Sequence, residues 1–459
     1  MLRAYSIPGL SLALALCASA QPKAIAYHSG FADSHDTYNG MGVASDGRIY
    51  YVLSSEKHDV AARMFSFDPA TSKIRDLGDL SSACGEKNAH AIAQGKSHVN
   101  FVESNGKLYF STHIGFYSIV NGMEMPGIPP SGWKPYPGGH LLAYDLKTGA
   151  FSDFGVAPNH EGIITTNMDT RRGRIYCLTW PTGAFYRYDL ARKQWRSLGS
   201  FFQKGENGKG PTYRVVCRSL IVNPDDGSVY FSTGEGWIYR YHYETDTVSR
   251  IAGDDLKKDY FGLYEVTNPG HMAYNWRQTF WYPAEHVAYG VHGNSGYLFR
   301  FDPHAERVDV LDRLTSEPSR LSGMYDQFSY GYLGFALGPD GRTIYYLTGG
   351  PIYVGGKRVR GKDSTAKGEA RGEENLHLVT YDIPTRRYQD HGAIFFPNGG
   401  RPTYVNSIAV GRDGAVYSLG RIREGNKTRI DLFSVKVPSS PPSPGSSPAG
   451  QGKRGRAGP

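Results

Sequence analysis

Stretches in which apolar or aromatic residues alternate with polar ones recur along the whole chain, each about four to six residues long, the period-2 signature of half-buried β-strands. One half of the repeating pattern opens a strand with Gly-x-aliphatic-Tyr: Gly47 to Tyr50, Gly106 to Tyr109, Gly173 to Tyr176, Gly227 to Tyr230, Gly341 to Tyr345 and Gly414 to Tyr417, with a degenerate copy around Tyr289. The other half closes a strand on aromatic-x-aromatic-Asp or a variant of it, at Asp68, Asp145, Asp189, His242, Asp302, Asp382 and Val435. Copies return every ~50 to 75 residues, the length of a four-stranded propeller blade with a variable loop.

The pairs Asp46-Gly47, Asn105-Gly106, Asp226-Gly227, Asp340-Gly341 and Asp413-Gly414 sit where a tight hairpin needs φ above zero. A four-stranded blade leaves two apolar faces uncovered, and only stacking around a ring covers both. The expected fold is therefore all-β, a seven-bladed β-propeller of four-stranded antiparallel blades over 21–437. Two unrelated β-sandwiches are the competing arrangement, and they would not need a shared repeat.

Residues 1–20 carry one basic side chain, Arg3, then an apolar run from Leu10 to Cys17 and Ala18-Ser19-Ala20 before Gln21. That is the layout of a secretory signal peptide, and Leu16 is bulky where a lipid-anchoring signal wants a small residue. No later stretch is apolar for long enough to cross a bilayer, so a secreted or periplasmic protein without a membrane span is expected. Cys84, Cys177 and Cys217 remain after cleavage, an odd number that excludes a disulfide framework but leaves room for one bridge. Cys177 and Cys217 fall in expected strands of adjacent blades and read as small buried hydrophobes.

The 438–459 tail is rich in Ser, Pro and Gly and is expected to be disordered and basic. The formal charge is +8. Setting aside Arg3 and the tail cations Lys453, Arg454 and Arg456 leaves about +4 on the ring, weak evidence for an anionic partner and none for nucleic acid. Gly355 to Glu374 has mixed charges and no apolar period, and is expected to be an exposed loop interrupting blade six.

In a propeller the first strand of each blade lines the central channel, and the segments leading into those strands crown one mouth of it. Here those segments are rich in His, Arg, Tyr and Asn. His98 and Asn100, two apart, share a strand face. His113 follows across the Asn105-Gly106 hairpin, so antiparallel pairing brings it within about 10 Å of His98 at the same mouth. His140 and His160 come after a Pro/Gly-rich insertion, 126–139, expected to form a loop over the mouth. Arg214 and Arg218, four apart in YRVVCRSLIV, share a face that must be wet or meet an anion. Tyr213, Arg277 and Tyr332 complete the candidate pocket. Each has a plainer alternative: a His hydrogen-bonded within a blade, an Arg salt-bridged to the next blade, a Tyr used for packing.

With SHVNFVESNGKLYFSTHIG followed by GGHLLAYDLKTG and RIYCLTWPTGAFYRYDL, the chain resembles the bacterial polysaccharide lyases built on seven-bladed propellers, namely the ulvan lyases and, more distantly, the oligogalacturonate lyases. The resemblance covers the whole ring as repeat and layout, and its fold portion is more specific than its active-site portion. It implies β-elimination on a uronic-acid polysaccharide, in which a cation or metal neutralises the carboxylate, a Tyr or His takes the C5 proton, and a His or Tyr serves as acid. It places Arg214 at the carboxylate with Arg218 or Arg277 behind it, His98 and His113 as neutraliser or acid, and Tyr213 as base. Asn100, His140, His160, Arg218, Arg277 and Tyr332 then surround the substrate. By spacing, His140 and His160 fit the essential His pair equally well. The oligogalacturonate-type pattern gathers several His and a Gln around a divalent metal; this chain has no compact His cluster, so a catalytic metal is open but not indicated.

The expected function is thus that of a secreted lyase, acting as a monomer on an anionic polysaccharide or oligosaccharide with or without sulfate. A non-catalytic propeller binding glycan or protein through the same mouth is the reading from a different class. A hydrolase or lactonase-like propeller would need a carboxylate cluster at the axis, and the strand-leading segments offer only Asp36, Glu103, Glu161 and Asp326.

Overall fold

The computed structural model describes residues 22–35, 40–120, 123–321, 334–351, 353–354, 357–358, 374–403, 405 and 407–437. The signal-like segment 1–20, the tail 438–459, Tyr332 and most of the 355–374 stretch lie outside the described residues.

Seven four-stranded antiparallel sheets form the blades of one β-propeller. Their innermost strands, in chain order, are Met41–Val43, Val102–Ser104, Gly162–Asp169, Ile221–Val222, Trp276–Tyr282, Gly334–Leu337 and Ala409–Val410. Both ends of the ring meet in blade seven, where Ala24–Ala26 pairs with Lys427–Lys436 as the outermost strand, Ala24 opposite Val435.

Alternation along one strand shows why the pattern of period 2 specifies a ring. In Ile49–Leu53 of blade one, Ile49, Tyr51 and Leu53 pack with Tyr417, Leu419 and Leu432 of blade seven, whereas Tyr50 and Val52 pack with Leu108, Phe110 and Tyr144 of blade two. One strand therefore serves two interblade cores. Each large side chain so buried contributes about 1.5–3 kcal/mol.

The polar half of the repeat is turn chemistry. Asp68, Asp145, Asp302 and Asp382 accept from backbone N–H groups just beyond the third strand, those of Ala70, Thr148, Ala305 and Thr385 among them. Asp46, Asp226, Asp340 and Asp413 do the same in the hairpin between first and second strands. At Asn105-Gly106 both residues are left-handed, φ +51° and +71°, as a two-residue type I′ turn requires.

A further device joins third and fourth strands. Arg63 bonds Asp76, His140 bonds Asp153 and His377 bonds Asp390, at corresponding places in blades one, two and six. Each Asp also accepts the N–H of the glycine two residues on, Gly78, Gly155 or Gly392.

Two expectations need correction. YRVVCRSLIV forms a strand only at Ile221–Val222, because side chains take the backbone groups ahead of it: Glu206 accepts from Val216 N, Arg218 donates to Val216 O, and Arg214 donates to the carbonyls of Pro211 and Tyr213. Cys217 accordingly lies outside a strand, although it is buried, and Cys84, Cys177 and Cys217 are all free thiols. The blade-six insertion sits between Thr343–Pro351 and Glu374–Asp382, so Glu374 belongs to a strand. Among the described residues no helix is long and apolar enough to cross a membrane.

Candidate axial site

The arch at His98 is built by a mismatch within blade two. Val102–Ser104 pairs with Lys107–Ser111, Val102 opposite Tyr109, and pairing resumes only where Lys96 meets His113. Residues 97–101 must therefore span what 110–112 span on the partner strand, and the surplus backbone carries His98 to the channel. His98 and His113 are both buried, their rings meeting edge to face with centroids 5.4 Å apart. The indole of Trp180, at the end of blade three's second strand, meets His113 at 5.5 Å.

Cations surround this pair. Lys96, with its side chain fully buried, pairs with Glu56 at 2.9 Å and holds its Nζ 4.6 Å above the Tyr117 ring. Burial alone would raise the Glu56 pKa, but Lys96 and His35 bring it down to about 2. Arg218 pairs with buried Glu206 at 2.5 Å, and Glu206 also accepts from Trp180 Nε1 at 2.9 Å. Burial, then the neighbouring His113 and the positive charges of Arg218, Arg277 and Lys96, hold the His98 pKa well below the usual histidine value. Burial, with Lys96 and Arg218, does the same to His113. Both rings are therefore uncharged at neutral pH.

A cleft of about 310 Å³ runs along the inner strands of blades two to five. His98 and Arg218 stand where the chain enters those strands, and Thr170 and Pro224 lie toward the other end. Between them the wall mixes apolar side chains, Met168, Leu220, Ile221 and Phe280 among them, with Thr165, Thr166, Asn167, Ser219, Gln278 and Thr279, and includes the Asp169 carboxylate. Asn100, exposed, also borders it. Thr166 is already bonded to Ser111, Asn167 to Leu220 O and Ser219 to Thr279, so the wall presents apolar surface beside a few hydrogen-bonding groups, the usual make-up of a ligand cleft.

The other expected residues are placed differently. Arg277 is buried in the first strand of blade five, one residue before Gln278 of the wall. Tyr213 lies in a small apolar cluster with Val215, Met272 and Ala273. Arg214 is bonded to Glu235 of its own blade. His140 sits between Asp153 and Glu86, at 2.9 Å from each, and occupies in blade two the place that Arg63 and His377 hold in blades one and six. Burial would lower its pKa, but hydrogen bonds to Asp153, Cys84 and Glu86 carry it up to about 11. Exposed His160 bonds the carbonyl of Pro137 at 2.9 Å. Ahead of the 126–139 stretch the chain forms a hairpin, Tyr117–Val120 with Met123–Pro126, whose Met123 packs on the Tyr213 and Met272 cluster of blades four and five.

Lys96, Glu206, Trp180 and the Thr165 to Asn167 wall were not singled out by sequence. The polar run TTNMD inside an otherwise apolar inner strand was a usable signal for the wall; Glu206 sits in a Gly-rich connection that carried none. Among the described residues no group of three or more His, Cys, Asp or Glu side chains is placed to hold a metal ion.

The fold and site define a seven-bladed β-propeller with an axial cleft, bordered at one end by Arg218 and by His98, behind which His113 packs. No protein-family model and no curated protein sequence matches the chain. Among solved structures it is similar to a chain of the "Crystal Structure of Mitotic Checkpoint Complex", at 9% identity and a TM-score of 0.49, over 96% of this chain and 100% of that one.

Proposed function

We propose that this chain is an exported carbon-oxygen lyase that cleaves a uronate-containing glycan, of the kind the ulvan lyases cleave, by β-elimination in the axial cleft. The observation that carries the reading is the juxtaposition of uncharged His98 with Arg218 at one end of a cleft whose wall mixes hydroxyl and amide groups with apolar side chains. The C5 proton of a uronate is acidic only once the adjacent carboxylate is neutralised, a task for Arg218 with Arg277 and Lys96 nearby. His98 then takes the C5 proton, the C–H electron pair forms the C4=C5 bond, the C4–O4 bond breaks, and O4 leaves with a proton from water. This moves the base from Tyr213, packed in its apolar cluster, to His98. Export rests on the Arg3, Leu10 to Cys17 and Ala18-Ser19-Ala20 layout.

A glycan-binding propeller without catalysis is the second reading, favoured by the prior engagement of Arg214 and Arg218 with Glu235 and Glu206. Ultraviolet absorbance of the unsaturated uronate decides between them. Purified protein is incubated with ulvan, pectate, alginate and glycosaminoglycans, with and without chelator. A rise on one substrate that His98→Gln abolishes at unchanged melting temperature supports the lyase. Saturable binding of a polyanion with no rise supports the binder.

A further inference from the structure

A second concavity, of about 380 Å³, lies between the loop joining the second and third strands of blade one and the segment leading into blade two. Its walls include Phe31, Asp59, Lys87, Asn88, His90 and Trp133. It shares no lining residue with the axial cleft.

Trp133 is the informative residue. It is half-buried and belongs to none of the hydrophobic clusters that hold the blades together. Its position is nevertheless fixed from several sides. Trp133 N donates to Pro130 O at 3.0 Å, and on the adjoining residue Lys134 N donates to His90 O at 2.7 Å while Ile92 N donates to Lys134 O at 3.1 Å. His58 meets the indole at a steep angle with centroids 4.8 Å apart, and Phe116 backs His58 at 5.7 Å. An indole held in place outside the core, at the edge of a concave surface, is arranged for a ligand rather than for folding.

The surrounding charges select the ligand. Arg63 is bonded to Asp76, Asp79 accepts from Ser82 N at the start of a helical turn, and Glu86 is bonded to His140 and Gln94. Asp59, Lys87, Asn88 and His90 are exposed, Asp59 lying 3.8 Å from His58 Nδ1 and the His90 ring 5.8 Å from the indole, and the lining as a whole sets three carboxylates, Asp59, Asp79 and Glu86, against Arg63 and Lys87. A polyanion gains little there. A neutral sugar fits: its C–H face stacks on the indole, and its hydroxyls reach Asp59, Asn88 and Lys87.

We propose that this concavity is an accessory saccharide site that stacks a neutral pyranose on Trp133. It is independent of whether the axial cleft is catalytic, because its readout is binding alone.

The test is isothermal titration of the full chain with cellohexaose, maltohexaose, xylohexaose, mannohexaose and a β-linked galactohexaose. At least one should bind with an affinity that changes less than twofold between low and high salt. Trp133→Ala should weaken that binding at least tenfold, Trp133→Phe less, and the Asp59→Ala and Asn88→Ala pair by several-fold. No binding across the panel overturns the proposal, as does binding that Trp133→Ala leaves intact. Should Trp133→Ala fail to fold, unchanged affinity in the Asp59 and Asn88 variants overturns it equally.

Discussion

Lys96 and His113 exchange two backbone hydrogen bonds, Lys96 N to His113 O at 2.9 Å and His113 N to Lys96 O at 2.8 Å. This isolated bridge ties the axial histidine to a buried ammonium on the neighbouring strand. The ammonium itself is located by Glu56, 2.9 Å away, and by the Tyr117 ring. Burial first, and then Lys96 and Arg218, hold His113 uncharged, and burial with His113, Arg218, Arg277 and Lys96 does the same to His98.

An acid limb of stability follows. A histidine whose folded pKa lies below the unfolded value of about 6.5 is neutral in the fold and takes up a proton on unfolding. The unfolded chain then binds more protons, so stability is fully present above about pH 6.5 and is lost as pH falls through that value toward the folded pKa. His98, His113 and His292, the last held near 3 by burial, all act in this sense. The melting temperature should drop from pH 7 to pH 5, and the His98→Gln, His113→Gln double variant should show a shallower drop. Equal slopes in the two proteins would show that neither ring is buried neutral.

His140 acts with the opposite sign. Its folded pKa, carried up to about 11, exceeds the unfolded value, so its contribution is fully present below about pH 6.5 and is lost as pH rises through 11. Wild-type stability should decline gently between pH 7 and pH 10, and His140→Gln should flatten that decline. His140→Ala leaves Asp153 and Glu86 without their shared cation and should cost about 3 kcal/mol in urea unfolding at pH 7. Activity per folded molecule should persist, because His140 does not border the axial cleft.

That outcome also marks what the sequence could reveal about the site. The ring was legible because its signals are local and repeated: alternation every second residue, Asp-Gly turns, and an aspartate closing the third strand in five of the seven blades. His98 and His113 were legible as a pair because the Asn105-Gly106 turn returns the chain antiparallel beside itself, although the strands slip by two residues before Lys96 meets His113. His140 misled because it resembles them in spacing, whereas its counterparts are Arg63 and His377, each followed by an Asp-x-Gly on the next strand. Comparing blades at that position exposes the role. The partners of Arg214 and Arg218 were hidden because Glu235 and Glu206 come from a tight turn and a Gly-rich connection, where no periodicity points to a neighbour.

The Glu206 to Arg218 pair makes its own prediction. Both side chains are buried, and Glu206 gathers the Arg218 guanidinium, Trp180 Nε1 and Val216 N around one carboxylate. Glu206→Ala should cost about 3–5 kcal/mol, as for one partner removed from a buried ion pair. Combining Glu206→Gln with Arg218→Met removes both charges and should be far less costly than either single change, since no uncompensated charge remains. Urea unfolding of the four proteins checks this. Additive losses would mean that the two residues stabilise the fold independently. In the glycan assays, Arg218→Met should lower carboxylate-dependent binding or turnover even where stability is recovered.

Gly162 tests how closely the His113 ring is packed. A Cβ placed on Gly162 would fall 2.3 Å from His113 Nδ1 and 2.8 Å from its Cε1, far inside contact distance. The ring has little room to retreat, because His98 meets it at 5.4 Å and Trp180 at 5.5 Å. The backbone cannot easily yield either, since Gly162 pairs with Trp180 at the start of blade three's first strand. Gly162→Ala should therefore displace the imidazole and cost about 1–3 kcal/mol from overpacking. Shrinking the obstacle should reverse this, so His113→Ala in the Gly162→Ala background should lose less stability than His113→Ala alone. Thermal unfolding of the four proteins reads the coupling. If the two losses simply add, the methyl group and the ring do not compete for the same space, and the packing that holds His113 against the axial site is looser than these distances require.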